Sequence, residues 1–333
     1  METLRLDTTD KDIEKAGEII RAGGLVAFPT ETVYGLGADA LNGDAVKSIY
    51  TAKGRPSDNP MIVHIASMEE LDELAEAVSD EIKALMAELW PGPITFVLKK
   101  KSLVPDVTTG GLDTVAVRMP ASEVALKLIR SSGRPVAAPS ANISGRPSPT
   151  TAMDVLEDME GRIEAVIMGE DCKVGIESTV LDCTGDAPAI LRPGFVTPER
   201  LEKVLGREVS YDAHLLEKPA EVLDPEDGAA DTETFKPKSP GMKYKHYSPK
   251  AKVQIVAGDA AAVRAEAEAD GIKTAVLDYS ENCEEAAHRF FADLRELDRQ
   301  GTELILVCAL EERGLGFAIM NRMLKSAGYD VIQ

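Results

Sequence analysis

Residues 29–37 carry the first group of side chains that could do chemistry, and they read Pro-Thr-Glu-Thr-Val-Tyr-Gly-Leu-Gly. The segment follows an apolar run and brings hydroxyls, a carboxylate, a phenol and glycines together. Open α/β sheets bind ligands at the loops that leave their strand ends. The segment therefore predicts one wall of a ligand site, and the alternative is a polar turn whose glycines have positive φ.

Two cations flank a glycine shortly afterwards, in Lys53-Gly54-Arg55. Lysine offers a point charge and arginine a planar fork of donors, so the pair suits the oxygens of a triphosphate. The alternative is a solvated helix end, because cations collect near the carboxyl ends of helices.

Three further side chains are polar although they lie within or beside apolar runs. Arg118 ends the run 115–117 and Arg192 follows Leu191, and a buried charge is costly unless a partner is present. That partner is either the carboxylate of a ligand or a structural acid. His64, inside the apolar run 61–65, is of a kind that is more often a satisfied core histidine than a catalyst.

Two polar segments complete the candidate site. Residues 139–148 read Pro-Ser-Ala-Asn-Ile-Ser-Gly-Arg-Pro-Ser. Such a loop can bring backbone N–H groups against phosphates, or it can be a plain surface loop. Residues 174–179, Val-Gly-Ile-Glu-Ser-Thr, form another polar strand edge.

The composition limits the classes of function. The 333 residues hold 57 acidic and 37 basic side chains, and the net charge of −20 disfavours nonspecific binding to nucleic acid. No apolar run approaches the roughly 20 residues of a membrane span, and the amino terminus does not resemble a signal peptide, so we expect a cytoplasmic protein. The four cysteines and four histidines lack the spacing of a disulfide framework or a zinc site, so we expect no transition-metal site built by the protein.

The first two hundred residues mix short apolar runs with amphipathic stretches, as α/β domains do. The apolar runs predict strands at 25–28, 61–65, 94–98, 114–117, 136–138, 165–167 and 179–181. The amphipathic stretches predict helices at 45–52, 69–89 with a break near Ser79, 123–131 and 151–159. One more helix has clear end signals, because Thr197 can cap it, Pro198 suits its first turn and Gly206 can stop it.

The chain is predicted to divide into a catalytic domain at 1–205, a linker at 206–252 and a small α/β domain at 253–333. Periodicity fails in the linker, where residues 217–233 hold seven acids and residues 236–252 hold six lysines and no acid. The last domain alternates strands and helices, which predicts a small parallel sheet. Its predicted pairs are 253–256 with 260–269, 274–277 with 284–299, and 304–307 with 315–326.

In this order, the segments resemble the YrdC-like L-threonylcarbamoyladenylate synthases in their long, two-domain form. The resemblance is carried by residues 29–37, 53–56 (Lys-Gly-Arg-Pro), 139–142 (Pro-Ser-Ala-Asn), 191–194 (Leu-Arg-Pro-Gly) and 239–249 (Ser-Pro-Gly-Met-Lys-Tyr-Lys-His-Tyr-Ser-Pro). It implies a twisted, open mixed α/β sheet with a second, smaller Rossmann-like parallel domain. It also implies that L-threonine, bicarbonate or carbon dioxide, and ATP with Mg²⁺ give threonylcarbamoyl-AMP and pyrophosphate. That product would supply a downstream transfer RNA threonylcarbamoyl transferase complex.

The resemblance also assigns roles to residues of this sequence. The set that resembles the L-threonine site is Thr32, His64, Arg118, Ala138 and Ser178. The set that resembles the ATP site is Arg55, Asn59, Thr114, Ser140, Ser148 and Arg192. Lys53 and Arg55 are expected to act catalytically near the phosphates, no metal ligand is expected from protein side chains, and Tyr244 in the linker resembles a lid residue over the ATP.

The implied chemistry fits these residue types. A carbamate of threonine would attack the α-phosphorus of ATP, so positioning and charge neutralisation dominate and no covalent nucleophile is needed. One alternative is an RNA-binding module without catalysis, although stable nucleic-acid binding is not expected at this net charge. A second alternative is a carbamoyl-adenylate enzyme with a different acceptor, as in hydrogenase maturation.

Overall fold

The computed structural model describes residues 2–215, 237 and 246–332. The predicted lid residue Tyr244 and the acidic stretch 217–233 lie outside the described residues, as does most of the basic motif 239–249. The lid role expected for Tyr244 therefore stays a prediction.

The first sheet has 11 strands and mixes parallel with antiparallel pairs. Its strands are β1 (Leu4–Leu6), β2 (Val26–Phe28), β3 (Gly35–Asp39), β4 (Ile62–His64), β5 (Ile94–Lys99), β6 (Thr114–Arg118), β7 (Val136–Ala137), β8 (Ala165–Ile167), β9 (Thr179–Asp182), β10 (Ala189–Arg192) and β11 (Ser210–Tyr211). Their spatial order is β1-β8-β2-β3-β7-β4-β6-β5-β9-β10-β11. Strand β4 pairs in parallel with β6 but antiparallel with β7. The sheet is mixed, as predicted.

The helices of this part of the chain begin and end largely where the sequence predicts. They are α1 (Asp10–Arg21), α2 (Gly43–Lys53), α3 (Met68–Leu74), α4 (Asp80–Leu89), α5 (Glu123–Ser132), α6 (Ala152–Met159) and α7 (Pro198–Leu205), followed by a short 3₁₀ turn (Ala213–Leu215). Ser79 accepts the backbone N–H of Ile82 and starts α4, which confirms the break predicted there. Thr197 occupies the N-cap position of α7, and Gly206 ends that helix with a φ of 69°.

One prediction for this part of the chain is wrong. The end of the predicted loop 29–37 is a strand, because β3 begins at Gly35 and pairs with β2 on one side and with β7 on the other. Glycine is a weak strand former, so the sequence gives no local strand signal there. The structure also adds β1, α1, β10 and β11, which the sequence did not predict.

The second sheet is small and wholly parallel, as predicted. It has the order β13-β14-β12-β15. Its strands are β12 (Lys252–Val256), β13 (Thr274–Leu277), β14 (Leu304–Cys308) and β15 (Val331–Ile332), and its helices are α8 (Ala260–Ala269), α9 (Cys283–Arg299) and α10 (Gly314–Ser326). Within the described parts of the chain, no helix is both long enough and apolar enough to cross a membrane.

An apolar cluster packs the helices of the second sheet against segments of the first part of the chain. Phe291 of α9 and Met323 of α10 are fully buried, and the cluster that contains them also includes Val33 and Ile176 from the first part of the chain. Burial of such side chains is the main favourable term in folding. The second sheet is therefore packed against the segments that carry the candidate site.

Candidate active site

A pocket lies over one face of the first sheet. Ile62 and His64 both line it, and because they are two residues apart on β4, they point to the same side of the sheet. The pocket thus extends across a sheet face as well as past the strand ends. Its lining residues are Thr30, Thr32, Val33, Gly35, Arg55, Ile62, His64, Arg118, Ala138, Pro139, Ser140, Glu177, Ser178, Arg192, His246 and Tyr247.

The wall predicted at residues 29–37 is present, but its glycines do not serve a turn. Gly35 and Gly37 belong to strand β3. A β-carbon on Gly37 would lie 2.8 Å from atoms of both Phe28 and Val136. Glycine is required at this position because the neighbouring side chains pack directly on the backbone.

Arg118, at the end of β6, is held in place by the 29–37 wall. Its guanidinium donates to the Thr32 hydroxyl at 2.9 Å and to the Gly92 carbonyl at 3.3 Å, and it forms an ion pair with Glu31 at 2.7 Å. The arginine side chain is 4% exposed and that of Glu31 is 12% exposed. Of the two partners considered for Arg118, the structural acid is therefore present, and it fixes a cation on the pocket wall.

Arg192, at the end of β10, is held in the same manner by uncharged groups. It donates to the Ser178 carbonyl at 3.0 Å and to the Ser178 hydroxyl at 3.1 Å, and that hydroxyl lies 2.8 Å from the Thr95 hydroxyl. A β-carbon on Gly194 would lie 2.4 Å from the Thr179 nitrogen. The glycine therefore lets the chain that follows Arg192 approach Ser178.

His64 is buried beside Arg118 and is 3% exposed. Its Nδ1 atom has no hydrogen-bond partner among the described residues. Burial, and secondarily the charge of Arg118, lowers the pKa of His64 to about 3. The imidazole is therefore neutral near pH 7, and Nδ1 is available to a ligand.

Lys53 ends α2 but is not a solvated helix end, because it is 1% exposed. Its ammonium donates to the carbonyl oxygens of Ser140 and Asn142, both at 2.5 Å. Burial lowers the pKa of Lys53 well below its usual value. The lysine thus anchors the loop 139–148, and its predicted place near phosphates stays a prediction.

Only half of the six residues that resemble the ATP site line the pocket. Arg55, Ser140 and Arg192 line the pocket. The other three lie outside the pocket wall as the described residues form it: Asn59, Thr114 and Ser148.

Each of these three has a definite place in the fold. Asn59 is 2% exposed, and its Oδ1 atom lacks a hydrogen-bond partner among the described residues. Thr114 begins β6, at the opposite end of that strand from Arg118. Ser148 is 1% exposed and donates to Glu177 at 2.6 Å.

Eight of the lining residues had no predicted role of their own, and three of these are titratable: Glu177, His246 and Tyr247. Glu177 lies in the polar strand edge 174–179, and His246 with Tyr247 lies in the basic motif of the linker. Tyr247 has a φ of 65°, which is unusual for a residue other than glycine, and its ring lies 5.0 Å from that of Phe291. The family motif at 239–249 contains both His246 and Tyr247 and could have identified them, although only Tyr244 was selected from it.

The arrangement is suited to anions. Burial lowers the pKa of Arg55 and of Arg192 to about 10, so both remain cationic near pH 7, and Arg118 lies on the same pocket. Guanidinium groups match carboxylates and phosphates with two parallel hydrogen bonds. A neutral histidine and several hydroxyls add uncharged donors and acceptors.

Known proteins resemble this chain over both sheets. A family model described as "Telomere recombination" (Sua5_yciO_yrdC) matches residues 18–194, and one described as "Threonylcarbamoyl-AMP synthase, C-terminal domain" matches residues 196–328. The threonylcarbamoyl-AMP synthase of Pyrococcus abyssi is 48% identical, covering 96% of this chain and 95% of that protein. The one from Bacillus subtilis is 43% identical, with 99% and 97% covered. The crystal structure of P. abyssi Sua5 complexed with L-threonine superposes with a TM-score of 0.89 at 46% identity, and 99% of each chain is covered.

Proposed function

This chain belongs to the threonylcarbamoyl-AMP synthase family, and we propose that it makes threonylcarbamoyl-AMP from L-threonine, bicarbonate or carbon dioxide, and ATP, with release of pyrophosphate. The observation that carries the proposal is a pocket lined by three arginines, of which Arg118 and Arg192 are buried and Arg55 is partly exposed, together with a neutral histidine. Such a pocket can hold an amino acid and a triphosphate side by side.

The L-threonine site would lie between the 29–37 wall and β6. Arg118 would bind the carboxylate of threonine, since its guanidinium is already fixed by Glu31 and Thr32. The free Nδ1 atom of His64 and the Ser178 hydroxyl would bind the polar groups of the substrate. Ala138 would offer a small apolar surface to the substrate methyl group.

The ATP site would use the remaining cations. Arg55 and Arg192 would neutralise the phosphates, and Ser140 would donate from the loop that Lys53 anchors. Asn59, Thr114 and Ser148 would need to contact the nucleotide from outside the present wall, and Tyr244 would contact it from the linker. These assignments are part of the proposal.

The reaction would depend on positioning and charge. The threonine amine attacks carbon dioxide, a C–N bond forms, and the nitrogen loses a proton to solvent. An oxygen of the resulting carbamate then bonds to the α-phosphorus of ATP while the bond to the leaving pyrophosphate breaks. The carbamate, ATP and the leaving pyrophosphate are all anions, so fixed guanidinium groups lower the barrier of the second step by neutralising like charges that must approach each other.

Magnesium would enter on the phosphates of ATP. Glu177, which lines the pocket, and Glu31, which lies between the lining residues Thr30 and Thr32 in the sequence, are each engaged by an arginine. Across the described residues, no group of three or more histidine, cysteine or acidic side chains could hold a metal ion. Phosphate oxygens and water are the usual ligands of Mg²⁺ at such sites, and bound Mg²⁺ would spread the negative charge of the triphosphate.

The wider setting is also proposed. ATP and transfer RNA are cytoplasmic substrates in this pathway, so we place the protein in the cytoplasm. A transfer RNA threonylcarbamoyl transferase complex would use its product. The family assignment favours the synthase over an RNA-binding module, whose affinity would fall steeply with salt and would not require threonine.

Pyrophosphate release tests the proposal. The chain is incubated with ATP, Mg²⁺ and bicarbonate, each of several amino acids is added in turn, and pyrophosphate is measured through a coupled pyrophosphatase. We expect release to depend on both L-threonine and bicarbonate, with threonylcarbamoyl-AMP identified by mass spectrometry. Release that is independent of every amino acid would overturn the proposal, and release with a different amino acid would favour the hydrogenase-maturation type of acceptor.

A further inference from the structure

A buried ion pair joins the second sheet to the pocket. Arg322, on α10, is 0% exposed, and its Nε atom lies 3.2 Å from a carboxylate oxygen of Glu177. The other carboxylate oxygen of Glu177 accepts the Ser148 hydroxyl at 2.6 Å. Arg322 also donates to the carbonyl of Pro193, next to Arg192. Arg322 belongs to the part of the chain that forms the second sheet with helices α8–α10, here called the second domain. One arginine of this domain therefore contacts two segments that build the pocket.

The segment that carries Glu177 is seated on the second domain. Ile176 is fully buried in the apolar cluster of α9 and α10, and Val174 packs against that cluster. A β-carbon on Gly175, whose φ is +83°, would lie 2.4 Å from the Ala287 carbonyl oxygen on α9. The backbone of 174–177 thus touches the second domain, while the next residue, Ser178, lines the pocket.

A second arginine supports the neighbouring loop in the same manner. Arg295, on α9, is 2% exposed and donates to the Pro147 carbonyl at 2.7 Å. It also donates to Asp158 at 2.8 Å, and Asp158 accepts the backbone N–H of Ile143 at 3.1 Å. The loop 139–148 is therefore held by Lys53 from one side and by the second domain from the other.

The ion pair matters for anionic ligands because Glu177 is negatively charged. Burial alone would raise the pKa of Glu177, but Arg322, Arg192 and the Ser148 hydroxyl outweigh it and hold the pKa below its usual value. Glu177 is therefore a carboxylate on the wall of a pocket for anions. Without Arg322, its charge would repel a triphosphate and compete with it for Arg192.

We propose that Arg322 is a positioning residue for ATP, which neutralises Glu177 and keeps Arg192 available to the nucleotide, so that the second domain completes the ATP site. This inference rests on the proposed function and adds a role for the second domain to it. The role is electrostatic, and it requires no contact between Arg322 and the substrate.

Steady-state kinetics of the full chain test this role. We expect Arg322→Gln to raise the KM for ATP about 10- to 100-fold, because it leaves an unpaired carboxylate beside the phosphates. The KM for threonine should change by less than about threefold, since Arg118 is held by a separate pair. Arg322→Lys keeps the charge but not the separate hydrogen bond to Pro193, so it should recover part of the ATP affinity that Arg322→Gln loses.

Glu177→Gln, alone and combined with Arg322→Gln, separates the effect of charge from that of packing. Glu177→Gln removes the anion and leaves a group that can still accept from Ser148, so its KM for ATP should be unchanged or lower. Adding Glu177→Gln to Arg322→Gln should return the KM for ATP to within about threefold of the parent value, since the unpaired charge is gone. The double variant remains informative if Arg322→Gln alone does not fold, because it leaves no unpaired buried charge.

A matched control is available at the same domain boundary. Arg299 on α9 pairs with Asp154 at 3.0 Å, but its side chain is 44% exposed and Asp154 does not line the pocket. Arg299→Gln should therefore leave the KM for ATP unchanged.

Three results would overturn the inference: a tenfold rise in this KM for Glu177→Gln, an unchanged KM for Arg322→Gln, or an equal rise for Arg299→Gln. If the unmodified chain releases no pyrophosphate with threonine, the proposed function itself fails.

Discussion

Replacing Arg118 tests the threonine site and the stability of the fold at once. In Arg118→Gln, Glu31 would stay largely buried, at 12% exposure, without its cation. Removing one partner of a buried ion pair costs about 3–5 kcal/mol, so the midpoint of thermal unfolding should fall markedly. The carboxylate of threonine would lose charge-assisted hydrogen bonds of about 1.5–3 kcal/mol each, so the KM for threonine should rise at least about 100-fold.

A double variant separates these two effects. Glu31→Gln combined with Arg118→Gln leaves a neutral pair, which should recover most of the stability because no unpaired charge remains buried. It should not recover threonine binding, since the guanidinium is still absent. The assays are thermal unfolding, calorimetric titration with L-threonine, and pyrophosphate release at varied threonine concentration.

Arg5→Gln serves as the control for this experiment. Its guanidinium lies 3.0 Å from Glu160, but both side chains are more than half exposed, so the pair should contribute at most about 1 kcal/mol. Both stability and the KM for threonine should stay close to those of the parent. The reasoning fails if the double variant binds threonine as the parent does, because Arg118 would then have no part in binding the carboxylate.

Two further predictions follow from burial and close packing. Gly194→Ala should lower kcat/KM at least about tenfold, because a β-carbon would lie 2.4 Å from the Thr179 nitrogen and separate Arg192 from Ser178. Gly185→Ala is the control, since its β-carbon would have its nearest contact at 3.8 Å, and it should be neutral in the same assay. His64 has a folded pKa of about 3 against an ordinary 6.5, so the unfolded chain binds the extra proton between these values and stability falls as the pH falls below about 6.5. In urea titrations at pH 7 and pH 5, the parent should therefore lose about 2 kcal/mol more than His64→Asn, and equal losses would show that His64 does not carry this effect.

Elements with a clear period could be predicted from the sequence. The strand 165–167 coincides with β8, and the helix 260–269 coincides with α8. Strand β3 was missed because its two glycines are a turn signal locally and become strand residues only through pairing with β2 and β7. Strands of two residues, such as β11 and β15, carry no period at all.

The sequence could identify which residues belong to the threonine site, but it could not identify the residues that they contact. The five residues that resemble the threonine site line one pocket, and a family motif can select them although up to 146 positions separate them in the chain. No local pattern states which acid meets which arginine. Glu31 is adjacent to Thr32 in the sequence, yet its partner Arg118 lies on β6, and Arg322 is 145 residues from Glu177.

Two acids belong to the surroundings of this pocket for anions: Glu177 lines it, and Glu31 pairs with the lining residue Arg118. Glu31 and Glu177 each pair with one arginine, so neither adds a net negative charge, and each pair holds a neighbouring group in place. In the first pair that group is the guanidinium of Arg118, which lines the pocket, and in the second it is the hydroxyl of Ser148, which lies outside the pocket wall. An unpaired acid would destabilise the fold in either pair, and an unpaired Glu177 would also repel an anionic substrate, so stability and affinity depend on shared contacts. Arg322 belongs to the second domain, so separating that domain from the first should impair ATP binding even where the first sheet stays folded.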